Sequence, residues 1–112
     1  MSDCIFCKIA RKEITSTLVY EDDEILAFND VNPQAPQHIL IITKEHISSV
    51  TEIKDYSIVG KIFKVINLLA VEKGIDKSGF RIVVNHGRAS GQAVPHLHFH
   101  LLGGRDLSWP PG

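Results

Sequence analysis

His96-Leu97-His98-Phe99-His100-Leu101-Leu102 is the stretch on which the reading of this chain turns. Imidazole and apolar side chains alternate strictly. In a β-strand successive side chains point to opposite faces, and residues two apart lie about 6.8 Å apart along one face. The three histidines are therefore expected on one face, with Leu97, Phe99 and Leu101 turned to a core. A strand that merely shows polar residues to water usually does so with Thr, Lys or Glu, so the histidines point to chemistry. One reading is a metal site, because histidines at alternate strand positions can hold zinc when a further ligand comes from elsewhere. The other is nucleophilic catalysis at phosphorus. An imidazole is a free nucleophile near neutral pH, and its phospho-adduct is labile to water. Neighbouring imidazoles can donate to the non-bridging oxygens, and a main-chain carbonyl accepting from Nδ1–H would leave Nε2 free to attack.

Working outward from this strand, Phe80–Asn85 is a β-branched run separated from it by the turn-rich segment His86–Gln92. The last strand itself reads as Val94–Leu102, and Pro95, which lacks an N–H, is expected to be its first residue or to sit at an edge. Before these, Ile58, Val59, Ile62, Phe63, Ile66, Leu69 and Ala70 recur at three- and four-residue spacing between Asp55 and Lys73. That is an amphipathic helix, opened by Asp55 as cap and closed by Gly74. His38–Thr43 is apolar on both faces, as suits a central strand. Leu18–Tyr20 and Ile25–Asn29 flank the acidic Glu21-Asp22-Asp23-Glu24 and read as a hairpin, joined to the central strand by the Pro-rich Val31–Pro36. The order of three strands, a long helix and two strands predicts an α+β fold: a mostly antiparallel five-stranded sheet with one long helix on a face.

Composition narrows the field. The chain has 112 residues, 44% of them apolar, which suits one domain over residues 1–112 with a single core. Twelve Lys and Arg against thirteen Asp and Glu leave a net charge of −1, without a basic block. The electrostatic footprint of a nucleic-acid binder is missing. The opening residues, with Asp3 and Lys8, resemble neither a signal peptide nor a membrane span, and the expected compartment is the cytoplasm. There, Cys4 and Cys7 are thiols or metal ligands rather than a disulfide. Taken alone the pair is a weak signal: burial, redox chemistry and half a zinc site all fit, although a redox pair should follow a strand and open a βαβ helix. His86 reads as a solvated turn residue.

The run His96–Leu102 resembles the histidine-triad motif, His-φ-His-φ-His-φ-φ with φ apolar, of the HIT superfamily. Gly103-Gly104-Arg105 and Trp109-Pro110-Pro111-Gly112 are similar to the ending of its HINT branch, the nucleoside phosphoramidases. Asp30, Pro33-Gln34-Ala35-Pro36, His38, Val83-Val84-Asn85 and Gly91-Gln92 match in collinear order along the chain. The resemblance implies the HIT-like fold and a homodimer whose sheets join across the interface. It implies hydrolysis of the bond between a purine nucleoside monophosphate and an amine or related leaving group.

Carried over by motif, His98 attacks the α-phosphorus and holds a nucleotidyl intermediate, and the carbonyl of His96 orients it. His100 and His38 contact the phosphate and help move protons. Asp30 binds the ribose hydroxyls, Asn85 and Gln92 the phosphate. Phe28, Val31, Gly91, Ala93 and Val94 complete the nucleotide site, with apolar walls such as Ile25 and Phe28, and Trp109 reaches toward the partner's substrate. Relatives with the same Cys-Ile-Phe-Cys-Lys-Ile opening hold structural zinc, which here implies Cys4, Cys7, His46 and His96 as ligands. One departure bears on chemistry: many relatives carry Ser or Thr where this chain has Ala93, so one phosphate or leaving-group contact is absent.

Three other functions are set against the phosphoramidase. A nucleotide-binding or regulatory module acting through protein partners would keep the pocket without the chemistry, yet all the histidines are present. A dinucleoside polyphosphate hydrolase of the same superfamily fits less well with the HINT-like tail. A zinc hydrolase using the triad as ligands is disfavoured because the cysteines offer zinc a better home.

Overall fold

The computed structural model describes residues 4–112; residues 1–3, and with them the Asp3 used in reading the N-terminus, lie outside the described residues. Five strands form one sheet: β1 (Leu18–Glu21), β2 (Ile25–Asn29), β3 (Gln37–Thr43), β4 (Phe80–Val83) and β5 (His98–Gly103). Their spatial order is β1-β2-β3-β5-β4 with every neighbouring pair antiparallel. The last strand in the chain is thus inserted between β3 and β4. The hairpin of β1 and β2 turns on Asp22, whose Oδ1 accepts from the N–H groups of Glu24 and Ile25, both at 2.8 Å.

The sheet is covered on both faces, which is why β3 is apolar throughout. On one face lies α2 (Ser57–Glu72), whose Ile62, Val65, Ile66, Leu69 and Ala70 pack with Ile25, Ala27, Ile39, Ile41, Phe99 and Leu101. On the other lies α1 (Ile5–Ala10), whose Phe6 and Ile9 pack with Leu26, Phe28, Leu40 and Ile42. Leu40 pairs with His100 and Ile42 with His98 across β3 and β5, so the catalytic-looking strand shows its histidines to the α1 face.

The α+β reading and the five-stranded antiparallel sheet hold, as does the turn of Leu97, Phe99 and Leu101 to the core. Boundaries differ. β5 begins at His98 rather than Val94, so Pro95 lies ahead of the strand, and β4 ends at Val83 rather than Asn85. α2 starts at Ser57, while Asp55 acts just before it, its Oδ1 accepting from Ser57 N–H at 3.0 Å. At the other end Gly74, at φ +73, allows its own N–H to reach Val71 O and that of Ile75 to reach Ala70 O, the paired bonds of a Schellman stop. α1 was not expected: six residues interrupted by Lys8 are too short for periodicity to announce a helix. Ile25 proves to be no pocket wall, because it sits on the α2 face, opposite the histidines.

Candidate active site and metal centre

His98, fully within the sheet, places its Nδ1 2.6 Å from the main-chain oxygen of His96. A carbonyl only accepts, so Nδ1 carries the proton and Nε2 keeps its lone pair. Beside it a second chain of bonds fixes two more rings. The N–H of Gln34 donates to His38 Nδ1 at 3.0 Å, which makes His38 Nε2 the protonated nitrogen. His38 Nε2 lies 2.9 Å from His100 Nδ1 and donates to it, leaving His100 with its hydrogen on Nε2. That Nε2 is buried and has no partner among the described residues. The site therefore sets a free lone pair on His98 near an unspent donor on His100, with the two ring centroids 5.1 Å apart.

Burial keeps the His38 and His100 rings neutral. Burial, then the neighbouring His98 and His38, push His100 down to about 4 against the opposing pull of Asp30. Burial also lowers His38, again opposed by Asp30, whose Oδ2 lies 3.5 Å from His38 Nε2. The other Asp30 oxygen accepts from Asn32 N–H at 2.8 Å.

His96 departs from the expected row of three. It precedes β5, is 0% exposed, and turns its ring toward the two cysteines. Its Nε2 donates to the Thr43 carbonyl at 2.7 Å, so the Nδ1 lone pair faces Cys4 Sγ at 3.3 Å and Cys7 Sγ at 3.5 Å. Cys7 Sγ is also 3.2 Å from His46 Nδ1. One ligand atom from each of Cys4, Cys7, His46 and His96 falls within 4.8 Å of the others. Zinc bound at about 2.3 Å to sulfur and 2.0 Å to nitrogen gives tetrahedral edges of about 3.3–3.8 Å, so the donor set fits that ion in type, number and spacing. The carbonyl on the far side of His96 presents the tautomer a metal needs. Among the described residues the three triad rings do not come together as such a group: His96 belongs to the cysteine cluster, while His100 stands with Asp30 and His38.

The remaining expected residues divide. Phe28 and Val94 pack on the α1 face near His98, and Val31 is 97% exposed at the end of β2's connection. Asn85 and Ala93 lie on the segment between β4 and β5, and Gly91 takes the left-handed conformation there, at φ +85. Gln92 is spent internally: Oε1 accepts from Gly87 N–H at 2.9 Å, and Nε2 donates to Ser48 O and Val94 O, both at 3.1 Å. Its amide clamps the loop. His86 is exposed as expected but hydrogen-bonds Ser49. Trp109 is 79% exposed and stands apart from the histidines, with the Arg81 guanidinium 5.8 Å from its ring centroid.

Phe6 and the Thr43 carbonyl carry roles that no motif announces. Phe6 sits edge-to-face with His98 at 5.1 Å, His96 at 5.9 Å and Phe28 at 5.6 Å. Its place between Cys4 and Cys7 was the available clue, since residues tied to His96 on either side must bring it close to His98. A main-chain acceptor such as Thr43 O has no side-chain signature.

An alternating-histidine strand inside a two-face-covered antiparallel sheet, with a partner histidine from the neighbouring strand, defines a histidine-triad protein. The HIT domain model matches residues 11–107. A histidine triad protein from Clostridium difficile is 55% identical, with a TM-score of 0.94 over 96% of both chains. A HIT family hydrolase from Legionella pneumophila is 46% identical, with a TM-score of 0.96 over 98% of this chain and all of that one. The 14 kDa zinc-binding protein of Zea mays is 46% identical over 99% of this chain and 89% of its own length. The chain belongs to the HIT family.

Proposed function

We propose that this chain, as a single HIT domain over residues 1–112, hydrolyses the bond between a purine nucleoside monophosphate and an amine or related leaving group. The observation that carries this reading is the pairing of tautomers, His98 with a free Nε2 lone pair and His100 with an unspent Nε2–H. His98 Nε2 attacks the α-phosphorus as the phosphorus–nitrogen bond breaks and the amine departs with a proton. Water then cleaves the phosphorus–imidazole bond and releases the nucleoside monophosphate. The His100 donor faces the charge that builds on the non-bridging oxygens, held in place through His38. The likeness to the HIT family hydrolase from Legionella pneumophila supports hydrolysis. Ribose binding by Asp30 and phosphate binding by the Asn85–Val94 segment follow the family pattern, with Gln92 shaping the loop. The retained rings argue against a purely regulatory module.

Cys4, Cys7, His46 and His96 hold zinc in a closed, structural site, a reading supported by the donor geometry and by relatives named zinc-binding proteins. The reduced thiols suit the cytoplasm, and among the described residues no helix is long and apolar enough to cross a membrane. A homodimer is supported by β4, paired on one side only, and by Leu68 and Val71 on α2, 53% and 64% exposed.

The test is AMP release from an adenosine phosphoramidate. The wild-type chain is expected to turn over, and His98→Ala to lose at least about a thousandfold in kcat. Activity surviving that change refutes the nucleophile assignment. Binding of AMP without turnover by the wild type favours the regulatory module instead.

A further inference from the structure

We propose that the Cys4–Cys7–His46–His96 cluster sets the position of the His98 imidazole, acting through His96 and Phe6 as positioning residues. The inference rests on the reading of His98 as nucleophile.

Two physical links run from the cluster to that ring. The first is His96. Its ring closes the cluster through Nδ1, and its main-chain oxygen, 2.6 Å from His98 Nδ1, fixes the tautomer and aim of His98. The residue cannot yield at one end without the other: its Nε2 is tied to Thr43 O, its N–H to Val94 O at 2.8 Å, and it has no solvent-exposed surface. The second link is Phe6. It is one of the two residues between Cys4, the cap of α1, and Cys7, and it is buried and packed edge-to-face against both His98 and His96. α1 has only six residues, so its own hydrogen bonds hold it weakly, and its placement depends on Cys4 and Cys7 at its N-terminal turn. An ion bridging the four ligands would lock that turn to His96, and with it the ring that backs His98. Releasing it would free Phe6 and loosen His96 together. A nucleophile displaced by about an ångström loses about a hundredfold in rate even when substrate still binds.

The experiment compares the zinc-loaded chain with chain stripped by chelator under reducing conditions, and with a zinc-loaded Phe6→Leu variant that keeps apolar volume but loses the ring. Four quantities are read: zinc content, thermal midpoint, the NMR signal of the His98 Nδ1–H, and kcat and KM for an adenosine phosphoramidate. Stripping is expected to shift or broaden the His98 signal and to lower kcat between about ten- and a hundredfold, both restored by added zinc. Phe6→Leu is expected to keep its zinc and its fold, yet to displace the same signal and lower kcat. An unchanged His98 signal in stripped but folded chain overturns the proposal. If stripping unfolds the chain, an unchanged signal in folded, zinc-loaded Phe6→Leu overturns it. Failure to take up zinc at all also overturns it. The signal is read without turnover, so a shift with no phosphoramidate hydrolysis would sink the nucleophile reading while leaving the coupling intact.

Discussion

Neutral, buried imidazoles make this protein sensitive to acid one residue at a time. His100 is held near 4 in the folded chain, below the ordinary histidine value of about 6.5, chiefly by burial. The unfolded chain therefore takes up a proton first as pH falls. Stability is expected to be level above about 6.5 and to decline from there to about 4, with His38 contributing in the same direction. Thermal midpoints measured from pH 7.5 to 4 check this, and His100→Gln should flatten part of the slope. A midpoint that rises on acidification would contradict the assigned neutral state. What the sequence showed of the site at this scale was residue type. Histidine spacing identified the strand, whereas the opposite allegiance of His96 depends on two cysteines more than eighty residues away and on a main-chain carbonyl.

At the scale of elements, β5 ends in a close approach. A methyl group on Gly103 would lie 2.6 Å from Cδ1 and 3.0 Å from Cβ of Ile75, a buried side chain fixed just past the stop of α2. Gly103→Ala should cost about 1–3 kcal/mol of stability while leaving the Cys4–Cys7–His46–His96 cluster and any metal it holds unchanged. Denaturant unfolding followed by metal analysis reads both, and a variant as stable as the wild type would show that Ile75 can move aside. Elements with a strong period, α2 and the fully apolar β3, were readable because burial on one or both sides writes itself into the sequence. α1 was not, for its six residues gain their helical order from tertiary packing and from the cysteines at its start. The end of β4 and the start of β5 were misplaced for a related reason: apolar residues continue beyond the point where main-chain pairing stops.

For the whole molecule, the metal cluster and a second copy are the expected sources of added stability. The cluster joins α1, the loop carrying His46 and the approach to β5, so removing its ion should lower the thermal midpoint by about 10 °C or more. Cys7→Ser should reproduce the loss, and a midpoint unchanged by chelation would leave the cluster without a structural role. Sedimentation should report twice the chain mass, and Leu68→Glu with Val71→Glu should return the monomer if that face is covered by the second copy. The strand order carries one more consequence, in the timing of synthesis. Because β5 is the final strand yet lies between β3 and β4, a chain emerging from the ribosome holds β4 with no neighbour in its sheet until the last strand clears the exit tunnel. His38, Cys4, Cys7 and His46 are all made early and wait for one late segment, which brings His96, His98 and His100 together. A chain that stops before β5 leaves β4 unpaired and the inner face of β3 without its neighbour.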